Sequence, residues 1–72
     1  MQLTDPMRRA LERLRDNGGE MASLDLLDIA DDEALQTLLH ENFIAEYTEC
    51  RVEFTPAGRK ALGEWNKAHA TQ

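Results

Sequence analysis

The sequence predicts a mostly helical α+β fold in one domain, residues 1–72, with three helices, a short two-stranded hairpin and a C-terminal helix. Three observations predict it. Apolar side chains recur at helical spacing in Met7, Ala10, Leu11 and Leu14, and again in Leu35, Leu38 and Leu39. Strict alternation appears in Arg51-Val52-Glu53-Phe54, the period of a half-buried strand. A capping residue followed by proline occurs at Thr4-Asp5-Pro6 and at Thr55-Pro56, marking helix starts near both ends. With 72 residues there is room for one modest core and no second domain.

Each element has its own signals. Pro6 suits the opening turn of the first helix, because its missing N–H is one the helix leaves unbonded anyway. Asn17-Gly18-Gly19 stops that helix, since glycine accepts the left-handed backbone of a helix end. Its arginines fall mostly opposite the apolar stripe. A second helix over residues 24–30 has Ser23 as its cap, with Leu24, Leu27 and either Ile29 or Ala30 facing inward and Leu26 toward solvent. Asp31 ends it and caps the third helix, where Asp32 and Glu33 complement the positive end of the helix dipole. Asn42 takes the left-handed position at the end of that helix, and Phe43 and Ile44 follow as buried anchors. Ala45-Glu46-Tyr47 makes one arm of the hairpin, residues 48–50 its turn and residues 51–54 the other arm. In the last helix Ala61, Leu62 and Trp65 face inward, and residues 69–72 fray.

Charge is segmental. The chain has a net charge of −6, yet residues 1–15 hold four arginines (Arg8, Arg9, Arg13, Arg15) against two acids. From Asp16 to Cys50 there are ten acids and no lysine or arginine. The last segment is mildly basic again, through Arg51, Arg59, Lys60 and Lys67. A single cysteine, Cys50, closes no internal disulfide, and no secretory or spanning apolar run is visible. The expectation is a cytoplasmic protein without membrane contact.

No catalytic or metal-binding pattern emerges. His40 adjoins Glu41, but no nucleophile, base and orienting group can be assembled. His40, Cys50 and His69 match no metal-ligand spacing, and the acids lack the alternation and glycine of a calcium loop. The expectation is a non-enzymatic protein with no cofactor and no metal.

Two runs carry a resemblance: residues 38–44, LLHENFI, and residues 52–62, VEFTPAGRKAL. They resemble the signature of winged-helix domains of the MarR-like and PadR-like regulators, in which a leucine-rich helix end, a short hairpin and a Thr-x-x-Gly turn follow one another. Asn42 stands where that pattern has glycine, Phe43 where it has leucine, and Phe54 where it has the leucine before threonine. The resemblance implies a winged helix, with the third helix as recognition helix and the hairpin as wing. It also implies that Asp32, Glu33, Gln36, Thr37 and His40 form the outward face of that helix.

That face is acidic, whereas a major-groove reader presents arginine, lysine, asparagine or glutamine and places cations on phosphates. The expected partner is therefore a basic protein, held by Asp32, Glu33, Gln36, His40, Glu46 and Glu49 on the third helix and wing. In its sharpest form the carboxylates mimic duplex phosphates. The alternative is a transcriptional regulator binding DNA through Arg8, Arg9, Gln36, Thr37 and Arg51, dimeric through its first or last helix. The chain is expected to be a monomer or homodimer. A subunit of a larger assembly would instead expose apolar residues such as Met21 and Leu26.

Overall fold

The structure, a computed structural model, describes residues 3–69. Its elements run α1 (Asp5–Asp16), β1 (Glu20–Ala22), α2 (Ser23–Leu26), α3 (Asp32–His40), β2 (Ile44–Thr48), β3 (Arg51–Phe54) and α4 (Pro56–His69). The strands form one antiparallel sheet in the order β1-β3-β2. The α+β class with predominant helix therefore stands, and one strand more than expected joins the hairpin.

That strand arises from the way α1 stops. Asn17 is the C-cap, and Gly18 and Gly19 have φ of 82° and 96°, open only to residues without a Cβ penalty. The Gly19 N–H donates to the Leu14 carbonyl and the Gly18 N–H to that of Arg15, the paired bonds of a Schellman ending. The reversal brings Glu20–Ala22 alongside β3, with Met21 opposite Val52 and Glu20 opposite Glu53. The Phe54 N–H then donates to the Gly19 carbonyl at 2.7 Å.

The end of α3 uses the same device with a different residue. Asn42 has φ of 64°, and the Phe43 and Asn42 N–H groups donate back to Leu38 and Leu39. At its start the Asp31 carboxylate accepts from the Ala34 N–H at 2.9 Å. Thr4 caps α1 in the same manner through Met7.

Thr55 joins the end of α3 to the start of α4. Its hydroxyl accepts from the Gly58 N–H at 2.9 Å and faces the carbonyls of Asn42 and Phe43 at 2.6 and 2.9 Å. Gly58 itself packs so closely that a Cβ there would lie 2.1 Å from the Phe43 carbonyl oxygen. Glycine is required at this position because two backbones touch.

The core gathers Leu11, Leu14, Leu35, Leu38, Ile44, Val52, Phe54 and Leu62, with Leu39 and Phe43 packed half-buried against it. The second helix departs from expectation. It spans only Ser23–Leu26 and continues as turns, and the residue at its N-cap position is Ala22, which has no side-chain capping bond. The Ser23 N–H and hydroxyl both donate to the Cys50 carbonyl instead. This pins the short helix to the hairpin tip and sets its roll. Leu26 is consequently fully buried, whereas Leu24 is 70% and Leu27 42% exposed, the reverse of the order read from the sequence. Met21 is also buried, so neither it nor Leu26 offers an assembly surface. His69 remains helical, its ring stacked on Trp65 at 3.9 Å, rather than fraying; residues 70–72 lie outside the described residues.

Candidate functional site

The acidic segment folds onto α2, α3 and the β2–β3 hairpin. Asp32 and Glu33 occupy the first turn of α3, Gln36 and His40 follow on the same helix, Glu46 sits on β2 and Glu49 in the turn; all six side chains are exposed. Thr37 is half-buried, and its hydroxyl donates back to the Glu33 carbonyl at 3.0 Å. That bond commits the hydroxyl proton of Thr37 to its own helix.

Three of the six expected residues come together. Asp32, Gln36 and Glu46 line one groove of about 160 Å³ between α2, α3 and the hairpin. Its apolar wall includes Leu26, Leu35, Leu39, Ile44 and Val52, and Leu27 contributes from the turn that follows α2. Glu33, His40 and Glu49 lie outside the groove lining. The leucines of α2 were not anticipated as site residues. Their place there follows from Leu26 taking the core position, which turns Leu27 outward.

The carboxylates differ in what they do. Asp31 spends its charge on the α3 cap, Asp16 pairs with Arg15 at 3.2 Å, and Glu20 pairs with Arg51 at 3.0 Å. The cations in both pairs come from outside the acidic segment. Asp25, Asp28, Asp32, Glu33, Glu41, Glu46 and Glu49 enter no ion pair among the described residues. The Glu20 carboxylate also accepts from the Tyr47 hydroxyl at 2.9 Å, and Arg51 Nε donates to that same oxygen of Tyr47. The hydrogen bonds from Tyr47 and then Arg51 hold Glu20 below the ordinary carboxylate range, and Arg51 is shifted further upward by Tyr47 and Glu20.

The cationic set of the alternative reading is dispersed by the fold. Arg8 is half-buried, pairs with Glu12 at 2.7 Å and lays its guanidinium 4.8 Å from the centroid of the Trp65 ring. Trp65 is thus half-buried beneath an arginine rather than set into the core. Arg51 is committed to Glu20 and Tyr47 on the sheet. Of the five residues, Arg9 and Gln36 alone are exposed.

Among the described residues no group of three or more potential ligands could hold a metal ion, and no helix is long and apolar enough to cross a membrane. No family model, curated protein or solved structure matches the chain.

Proposed function

We propose that this chain is a winged-helix module without enzymatic activity that binds a basic protein through the acidic surface of α3 and the hairpin. The element order and the β1-β3-β2 sheet support the winged-helix part, with the Thr55–Gly58 lock where that family carries Thr-x-x-Gly. The carrying observation for function is the state of the carboxylates. Asp32, Glu33, Glu46 and Glu49 are exposed and enter no ion pair among the described residues; Asp32 and Glu33 also complement the α3 dipole, whereas Glu46 and Glu49 have no such duty. Like charges held together on a small domain raise its self-repulsion, and a cationic partner relieves it. Complementary charge also steers encounter, so association should be faster at low salt.

The test is capture of partners from native cytosol, followed by binding measurements on the purified complex at several salt concentrations. Reversing Glu33 and Glu49 to lysine should weaken the complex and flatten its salt dependence while costing only about 1 kcal/mol of unfolding free energy, the effect of a cation in the first turn of α3. A double variant that binds its partner as tightly as the parent does would reduce the acidic face to a solvated surface.

A further inference from the structure

We infer that the groove between α2, α3 and the hairpin recognises a basic segment by taking one of its aliphatic side chains between two flanking cations. This rests on the acidic docking surface proposed above and adds what that surface selects.

Size narrows the occupant first. Pockets that enclose small-molecule ligands usually hold roughly 300–1,000 Å³. At about 160 Å³ this groove is too small for a cofactor and suits a single anchoring side chain. Such anchors, seated in apolar pockets with a polar rim, carry much of the affinity of protein interfaces.

The lining sets the chemistry of the anchor and its neighbours. The floor of the groove is formed by buried Leu26, Leu35, Ile44 and Val52, and the accessible apolar surface above it comes from exposed Leu27 and half-buried Leu39, which reward an apolar group by removing it from water. Asp32 on α3 and Glu46 on β2 border the same groove, both exposed and outside any ion pair among the described residues. A segment that seats leucine, isoleucine, valine or methionine here would bring its adjacent residues beside those carboxylates. Arginine or lysine is then favoured at those adjacent positions.

Part of the exposed apolar surface adjoins the groove. Three large hydrophobic residues are exposed among the described residues: Leu24, Leu27 and Tyr47. The two leucines sit three positions apart along Ser23–Leu27, and Leu27 is part of the groove lining. Charge decides among the other occupants. A second copy meeting this face with its own would set carboxylate against carboxylate. A nucleic acid would bring phosphates to the same carboxylates and offers no aliphatic side chain.

The experiment is selection of displayed random short peptides against the full chain at low salt, followed by titration of the recovered peptides in ¹⁵N-resolved NMR. Recovered sequences should carry an aliphatic residue with arginine or lysine on either side and should shift the amides of Leu27, Gln36 and Val52. Replacing the aliphatic residue by alanine should weaken binding about ten- to a hundredfold, the worth of burying one such side chain. The double variant Leu24→Asn, Leu27→Asn should also weaken it, with an unchanged unfolding midpoint because both positions are exposed. Basic peptides indifferent to the alanine change or to the double variant would overturn the inference and leave the acidic docking surface standing. Recovery of only acidic or uncharged sequences, or of none, would remove that surface as well.

Discussion

Two glycines of α4 illustrate how far a residue's role depends on what lies above its Cα. Gly58 faces the Phe43 carbonyl so closely that any Cβ must push two backbones apart, whereas Gly63 has nothing within 4 Å. Gly58→Ala should therefore cost roughly 2–3 kcal/mol, the range of overpacking in a site that cannot yield. Gly63→Ala should stabilise by about 0.5–1 kcal/mol, because alanine loses less backbone entropy in a helix. Urea unfolding of the two variants measures both, and equal effects at the two sites would refute the close-contact account. The Glu20 network makes a pH prediction at the same scale. Its carboxyl is held low in the folded chain by Tyr47 and Arg51. Its contribution is complete above the ordinary carboxylate range and is lost as pH falls through the lowered folded value. Glu20→Gln should remove that acid-side slope from the urea midpoint. A Glu20 carboxylate that titrates in its ordinary range by NMR would contradict it.

At the scale of elements, legibility followed the local chemistry. The ends of α1 and α3 were readable because Gly18 and Asn42 act through their own backbones, and the Thr55 cap was readable because its hydroxyl reaches only three residues along the chain. The roll of α2 was not. Residues 24, 26, 27, 29 and 30 are all apolar, so the run fits two helical phases, and the choice is made by the bonds from Ser23 to Cys50. Strand β1 was missed for a similar reason. It has three residues with one buried side chain, too few for alternation to register, and its pairing with β3 is long-range. The acidic surface was legible because exposed carboxylates need no partner. The groove beside it was not, since it depends on that roll, and Arg8 was misjudged because Trp65, far along the chain, covers it. The roll can be checked directly. Leu26→Ala should cost about 2–5 kcal/mol as a cavity-forming core change, while Leu24→Ala and Leu27→Ala should each stay within about 0.5 kcal/mol. The opposite order would restore the phase expected from the sequence.

For the whole molecule, the decisive quantity is where each sign of charge is available. Most carboxylates outside ion pairs among the described residues lie on α2, α3, the hairpin and the turns between them, with Asp5 on α1 and Glu64 on α4 besides, while exposed Arg9 and Arg13 lie on α1 and exposed Arg59, Lys60 and Lys67 on α4. Non-specific affinity for duplex DNA comes from cations replacing counterions on phosphates, and it falls with salt as about 0.9 decades per contact for each decade of salt. The exposed Asp32, Glu33, Glu46 and Glu49 of α3 and the hairpin would repel phosphates brought to those elements, and Gln36 alone cannot offset it. We therefore expect no retention of random duplex in a gel shift at physiological salt. Any retention at low salt should come from the α1 side, and the double variant Arg9→Ala, Arg13→Ala should abolish it. Gln36→Ala should leave it unchanged, because that side chain lies among the acids that repel the phosphates. Retention that persists at physiological salt and disappears with Gln36→Ala would instead put DNA on α3. In that case the surrounding carboxylates would be screening neighbours rather than the binding surface.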